Sequence, residues 1–130
     1  MVRIVAVTGM PGSGKSLVAR VIGEELGYPV YSMGDVVRRV VESRGLPLEP
    51  VTIERVAREL REAHGEGVVA RLLMESIDLG VEGIVADGVR SLGEVRVFEE
   101  WGPVCIVAVH APRRLRFERV KARGRLGEAS

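Results

Sequence analysis

Eight residues near the N-terminus constrain the fold more than any other part of the chain. Residues 9–16 read Gly-Met-Pro-Gly-Ser-Gly-Lys-Ser and match the pattern G-x-x-x-x-G-K-[ST] at every specified position. The apolar run Val2–Val7 before the motif is typical of a buried strand, and Lys15–Leu26 after it carries apolar residues at helical spacing. This order of strand, glycine-rich turn and helix predicts a loop that wraps a phosphate group.

The residue types of this loop suit an anion. Glycines leave room for backbone N–H groups to turn towards a phosphate, and the start of a helix adds partial positive charge. Lys15 is predicted to reach the β- and γ-phosphates of a nucleotide, and the Ser16 hydroxyl to be a Mg²⁺ ligand. The alternative interpretation is a glycine-rich turn that binds nothing.

Strands and helices alternate along the rest of the chain, which predicts an α/β fold with a parallel sheet covered by helices on both faces. Functional residues of such sheets lie at the carboxyl ends of the strands. The further predicted elements are a short extended piece at Pro29–Tyr31, helices at Asp35–Arg44, Val51–His64 and Val68–Leu79, a strand at Gly83–Asp87, a helix opened by a capping box at Ser91–Glu94, a buried strand at Val104–Val109 and a helix from Pro112 to about Ala122.

Two charged residues follow the strand that ends at residue 87. Asp87 ends an almost wholly apolar run, where an unpaired carboxylate would be costly to bury. We expect it beside the phosphate loop, holding Mg²⁺ directly or through water, with a capping role before Gly88 as the alternative. Arg90 could bind a phosphate through its guanidinium fork, or form a surface ion pair with Glu94.

Other charged residues lie on predicted helices. Asp35 suits a helix start, either as a plain cap or through the dipole, whereas a cation at Arg38 opposes the dipole and implies a countercharge such as a bound phosphate. Arg116, Arg119 and Arg123 fall on one helix face and repel one another unless an anion lies across them. A surface of glutamates would serve equally, and a solvated face is the alternative.

Composition bounds the class of protein. The 130 residues are 46% hydrophobic and 28% charged, which fits one globular domain. A net charge of +1 argues against a strongly basic nucleic-acid binder, and an aromatic content of 4% leaves few side chains on which bases could stack. Residues 111–130 nevertheless contain seven basic and two acidic side chains, a local net charge of +5.

The remaining residue types that occur only once or twice in the chain are not expected to be catalytic or to bind metal. The single cysteine, Cys105, indicates a reducing cytoplasm, and we expect an inert core residue within a buried strand. Phe98 and Trp101 are predicted at the edge of the core. His64 and His110 are isolated, and without a Cys/His cluster no zinc site is expected. No apolar run is long enough to span a bilayer, so no membrane partner is expected.

Four motifs, in order, resemble those of nucleoside monophosphate kinases of the adenylate-kinase type: the loop at residues 9–16, Ser32-x-Gly-Asp-x-x-Arg38, Asp87-Gly-Val-Arg90 and Glu118-Arg-x-x-x-Arg123. Nearly the whole chain is similar to archaeal adenylate-kinase-related proteins often labelled dephospho-coenzyme A kinase-like. The resemblance implies a three-layer P-loop NTPase fold with an inserted acceptor-nucleotide flap at residues 35–80. It also implies the start of a lid at residues 123–130, without the C-terminal strand and helix of such kinases.

The resemblance further implies ATP- and Mg²⁺-dependent phosphoryl transfer to AMP, another nucleoside monophosphate or dephospho-coenzyme A. Asp35, Arg38 and Arg90 would bind the acceptor, and Ser16 and Asp87 the metal. The catalytic residues would be Lys15, Asp87, Arg119 and Arg123. The ATP phosphates would be bound by Gly9, Pro11, Gly12, Ser13, Gly14, Lys15, Ser16 and Leu17.

Two departures from the kinase pattern leave alternatives open. The segment from Asp87 to Arg90 is one residue shorter than in adenylate kinase, so the acceptor geometry can differ from that for AMP. The chain also ends at Ser130, within the expected lid. The main alternative is a non-enzymatic or weakly hydrolytic nucleotide-binding module in which a bound phosphate switches the flap. An RNA-associated P-loop protein is a third possibility.

Overall fold

Four parallel strands form the central sheet of the computed structural model, which describes residues 1–111. The strands are β1 (Arg3–Thr8), β2 (Val30–Ser32), β3 (Gly83–Asp87) and β4 (Val104–Ala108), and their order across the sheet is β2-β3-β1-β4. In the register, Val7 lies opposite Asp87 on one side and Val107 on the other. The carboxyl ends of β1, β3 and β4 therefore meet at one edge.

Among residues 1–111, five helices accompany the sheet: α1 (Lys15–Leu26), α2 (Met33–Ser43), α3 (Pro50–His64), α4 (Val68–Ser76) and α5 (Leu92–Glu99). Helix α4 ends three residues earlier than the sequence predicts, because Asp78 forms a turn in which its Oδ1 accepts a hydrogen bond of 2.9 Å from the amide of Gly80. None of the helices within residues 1–111 is long and apolar enough to cross a membrane. The predicted helix after Pro112, with its arginines, lies outside the described residues.

The alternation of side chains along β1 divides the core into two layers. Val5 and Val7 face α1, where they pack with Ala19. Ile4 and Ala6 point to the opposite face, where α2, α3, α4 and α5 build the larger part of the core. The predicted α/β fold, with a parallel sheet covered on both faces, is confirmed.

Two predictions about the core were wrong. Cys105 is exposed rather than buried, and Ile106 beside it is 53% exposed. The reason is that β4 lies at the edge of the described sheet and is paired on one side only. Phe98 lies inside the core with no exposed surface, whereas Trp101 is partly buried against the core, as the sequence predicts.

Candidate functional site

The loop between β1 and α1 has the backbone shape that its glycines allow. Gly12 and Gly14 adopt φ angles of 80° and 94°, in the left-handed region that side chains with a Cβ rarely occupy. The amide of Ser13 donates to the carbonyl oxygen of Met10 at 3.0 Å and closes the turn. Lys15, the first residue of α1, is buried with only 5% of its surface exposed.

Gly9 is required for a different reason, which is space. A Cβ at this position would lie 2.6 Å from Oγ of Ser13 and 2.7 Å from the carbonyl oxygen of Val109. The loop is therefore packed closely against the end of β4, where the amide of Val109 donates to the carbonyl oxygen of Thr8 at 2.8 Å. Any side chain at Gly9 would push the loop away from the sheet.

The first residues of α1 contact the end of β3. The hydroxyl of Ser16 donates a hydrogen bond of 2.9 Å to Oδ2 of Asp87. Asp87 is 8% exposed, and its other oxygen, Oδ1, is buried without a hydrogen-bond partner among residues 1–111. The hydroxyl of Ser13 is in the same state. Buried polar atoms without partners are costly, so these two atoms indicate a place where a ligand supplies the missing contacts.

The hydrogen bonds within residues 1–111 do not support the alternative interpretation of Asp87 as a plain cap. The amides of Gly88 and Val89 both donate to the carbonyl oxygen of Val7, at 2.9 and 3.1 Å, instead of to the Asp87 side chain. The Asp87 carboxylate is thus aimed at the start of α1. Its orientation follows from the parallel pairing of β1 with β3, which places residue 87 opposite Val7.

The side-chain oxygen atoms of Ser16 and Asp87 are suitable ligands for a Mg²⁺ ion. This cation prefers hard oxygen ligands and is usually held by one or two protein groups, together with water and the phosphates of a substrate. Within the part of the chain that the structure describes, no group of three or more His, Cys, Asp or Glu side chains could hold a metal ion. A metal held here would therefore depend on nucleotide phosphates for most of its ligands.

A cleft of about 280 Å³ lies between α2, α3 and the segment that follows β3. Apolar side chains form most of its wall, among them Met33, Val37, Ile53 and Val69. Its polar lining residues are Arg38, Glu54, Arg61, Arg90 and Glu94. The structure therefore brings the predicted acceptor residues Arg38 and Arg90 to one cleft, while the predicted catalytic residues Arg119 and Arg123 lie outside the described residues.

Asp35 and Arg38 form an ion pair on the first turns of α2. The guanidinium Nη1 of Arg38 lies 2.7 Å from Oδ1 of Asp35. Asp35 is not the helix cap, because α2 begins at Met33 and Ser32 takes the capping position. The countercharge that the sequence implied for Arg38 is thus supplied at least in part by the protein itself.

Glu94 is a site residue that the sequence reasoning treated only as part of a capping box. The capping box is present: Glu94 donates its amide to Oγ of Ser91 at 3.2 Å, and its Oε1 accepts from the amide of Ser91 at 3.2 Å. Oε1 also accepts from the amide of Arg90 at 2.6 Å. Burial raises the pKa of Glu94, while these backbone hydrogen bonds and the charges of Arg61 and Arg90 act in the opposite direction.

Arg61 and Glu54 are further cleft residues that the sequence reasoning missed. No sequence motif singled them out: Ala57 lines the cleft and Arg61 lies one turn further along the same face of α3, so the packing of this helix determines their place. The predicted alternative of a close side-chain ion pair between Arg90 and Glu94 is not formed within residues 1–111: the amide of Arg90 donates to Oε1 of Glu94, and the guanidinium acts on the carboxyl through its charge at longer range. The Arg90 guanidinium is exposed at the cleft instead.

The fold and the loop define a P-loop protein of the kinase-like class. Residues 8–129 match the family model described as an AAA domain, and the chain belongs to this family. A UPF0200 protein of Hyperthermus butylicus is 51% identical over 126 residues, which cover 96% of this chain and 67% of that protein. The chain thus spans about two thirds of the length of this relative. The predicted resemblance to archaeal P-loop kinase-like proteins is confirmed.

Solved structures show the same fold. TT1252 from Thermus thermophilus superposes with a TM-score of 0.64 at 26% identity, over 98% of this chain and 75% of that one. A sugar kinase from Janibacter sp. HTCC2649 superposes with a TM-score of 0.55 at 23% identity, over 93% of this chain and 67% of that one. At this identity the second likeness concerns the fold alone.

Proposed function

We propose that the protein transfers the γ-phosphoryl group of ATP to a phosphorylated, nucleotide-type acceptor. One observation carries this proposal: two neighbouring residues at the end of β3 belong to two adjoining sites. Asp87 contacts Ser16 of the phosphate loop, and Gly88 lines the cleft that contains Arg38 and Arg90. A phosphoryl donor on the loop and an acceptor in the cleft would therefore meet at one strand end, as in-line transfer requires.

The donor side of the proposal uses the loop. Its backbone N–H groups and Lys15 would hold the ATP phosphates, and Ser16 and Asp87 would hold Mg²⁺, which supplies neutralisation of phosphate charge when bound. Arg119 and Arg123, outside the described residues, would stabilise the transferring group. The other proposed contacts to ATP are those of Gly9, Pro11, Gly12, Ser13, Gly14 and Leu17.

The acceptor side uses the cleft. Arg38, oriented by its 2.7 Å ion pair with Asp35, and Arg90 would bind the acceptor phosphate, while the apolar wall suits a ring. AMP, another nucleoside monophosphate and dephospho-coenzyme A are the candidate acceptors. Closure of the flap at residues 35–80 and of a lid that starts at residues 123–130 would exclude water and limit hydrolysis of ATP. The free thiol of Cys105 suits a reducing cytoplasm, where we place the protein.

The test is ATP turnover in the presence of Mg²⁺, with and without AMP, CMP or dephospho-coenzyme A. We expect turnover that depends on one acceptor and falls by at least about 100-fold in Lys15→Ala, because Lys15 would neutralise charge in the transition state. Arg20→Ala, at an exposed arginine of α1, is the matched control and should retain turnover. Tight ATP binding without acceptor-dependent turnover would contradict the proposal and favour a nucleotide-binding module.

A second measurement separates the RNA-associated alternative. Such a protein would bind RNA at low salt with an affinity that falls steeply as the salt concentration rises. We expect no such binding, since the net charge of the chain is only +1.

A further inference from the structure

A second groove, of about 420 Å³, adjoins the acceptor cleft and shares two of its walls, Arg61 and Arg90. Its other lining residues are Arg58, Glu62, Glu66 and Ser91. We propose that the acceptor is a nucleotide with a second phosphate group, and that this group binds in the groove. This inference rests on the proposed function, because it concerns the substrate of the same site.

The lining of the groove differs in kind from that of the cleft. The cleft wall is mostly apolar, as expected for a surface that covers a ring, whereas all six residues that line the groove are charged or polar. A second ring would gain little apolar contact there. A charged group would find guanidinium and hydroxyl donors, so the groove suits the anionic end of a ligand whose ring lies in the cleft.

The arginines of the groove form no close ion pair in the described part of the chain, although the charges of Arg61 and Arg90 act on the Glu94 carboxyl in the neighbouring cleft. Within residues 1–111, no carboxylate oxygen lies within 4.0 Å of the guanidinium nitrogens of Arg58, Arg61 or Arg90. Other arginines nearby do form such pairs: Arg44 and Arg55 both contact Glu59, at 3.3 and 3.8 Å.

Two of these three arginines also lie close together along α3. Arg58 and Arg61 are three residues apart on α3, so their like charges repel unless an anion lies between them. Glu62 and Glu66 also line the groove, but neither forms an ion pair with these arginines in the described part of the chain. A phosphate group would relieve the repulsion and accept several hydrogen bonds at once.

Ser91 lines the groove and adds a hydroxyl next to Arg90, one of the two residues that the sites share. Its Oγ already accepts a hydrogen bond from the amide of Glu94, so the remaining capacity of the hydroxyl includes its hydrogen, which can be donated. The amides of Arg90 and Ser91 are both occupied by Oε1 of Glu94. An anion in the groove would therefore be bound by side chains, which makes its binding sensitive to single substitutions.

The experiment compares the binding of three nucleotides by calorimetry in the absence of ATP: AMP, adenosine 2′,5′-bisphosphate and adenosine 3′,5′-bisphosphate. We expect one bisphosphate to bind at least about tenfold more tightly than AMP. In Arg58→Ala this gain should disappear, since Arg58 lines the groove and not the cleft. Arg55→Ala is the matched control, because Arg55 is an exposed arginine of the same helix that lines neither site.

The proposal is overturned if AMP and both bisphosphates bind equally, if none of the three binds, or if the gain survives in Arg58→Ala. These outcomes are separable from failure of the proposed function, which is measured as acceptor-dependent ATP turnover. A gain that Arg58→Ala removes, in a protein without turnover, supports the groove and contradicts the kinase. Turnover with AMP, without tighter binding of either bisphosphate, supports the kinase and contradicts the groove as a phosphate site.

Discussion

The hydroxyl of Ser16 donates a hydrogen bond of 2.9 Å to Oδ2 of Asp87, a residue 71 positions further along the chain. This contact connects the start of α1 to the end of β3, and it exists because β1 and β3 are parallel neighbours in the sheet. It also leaves Oδ1 of Asp87 buried without a partner among the described residues. The pair is thus both a link between two elements and an incompletely satisfied polar site.

The contribution of this hydrogen bond to stability can be measured with a double-mutant cycle. We expect Ser16→Ala and Asp87→Ala to show a coupling of about 1–2 kcal/mol in the free energy of unfolding, because the acceptor is a carboxylate and the pair is partly buried. The control pairs Asp87→Ala with Ser43→Ala, whose hydroxyl donates to the carbonyl oxygen of Val40 at a distant exposed position. Additive effects of the Ser16 and Asp87 substitutions would contradict the expectation.

Removal of the negative charge at Asp87 tests its proposed role towards Mg²⁺. Asp87→Asn keeps the size of the side chain but is a poorer ligand for a hard cation. We expect Mg²⁺ to lower the Kd for ATP in the unmodified protein. In Asp87→Asn the factor by which Mg²⁺ lowers this Kd should be at least about tenfold smaller, as measured by calorimetry with and without the metal. An equal effect of Mg²⁺ in both proteins would refute the metal role and leave the structural contact intact.

The buried carboxyl of Glu94 makes stability depend on pH. Burial raises its pKa in the folded protein above the ordinary value of 4.5, so the folded state retains the proton more strongly than the unfolded state. The stability that Glu94 contributes is therefore full below pH 4.5 and is lost as the pH rises through the folded pKa.

Glu94→Gln removes this titration but keeps an oxygen that can accept from the amides of Arg90 and Ser91. We expect the difference in Tm between Glu94→Gln and the unmodified protein to shift in favour of the variant as the pH rises from about 4 to 7. The matched control is Glu99→Gln, which changes an exposed glutamate of the same helix. A Tm difference that does not change with pH would show that the environment of Glu94 does not favour its protonated form.

The local parts of the site follow from the sequence, and the parts built by tertiary packing do not. Residues 9–16 and the capping box at Ser91 and Glu94 are recognisable because their backbone geometry depends on residues within a few positions of one another. The exposure of Cys105 depends on which strand lies at the sheet edge, and an apolar run carries no such information. Arg61 likewise enters the cleft through the packing of α3 against α2 and α4, which no motif announces.

The turn between α5 and β4 is predicted to tolerate no side chain at Gly102. A Cβ there would collide with the carbonyl oxygen of Val2, whose amide is bonded to the carbonyl oxygen of Trp101 at 3.1 Å. We expect Gly102→Ala to lower the free energy of unfolding by about 1–3 kcal/mol in a denaturant titration, since backbone atoms must move. Gly80→Ala is the control, because its Cβ would come no closer than 3.2 Å to the flexible side chain of Asp78. Similar losses in both variants would argue against the collision.

The reactivity of the single thiol, Cys105, tests whether the edge strand β4 is exposed to solvent. Since Cys105 is exposed on β4, we expect a disulfide reagent such as dithionitrobenzoate to modify one thiol per chain in the folded protein, without denaturant. The rate should be comparable with that of the unfolded protein, and Cys105→Ser should abolish the reaction. Protection of the thiol until the protein unfolds would mean that another segment or a second chain covers β4. In that case Cys105 would be buried, as the apolar sequence of this strand predicts.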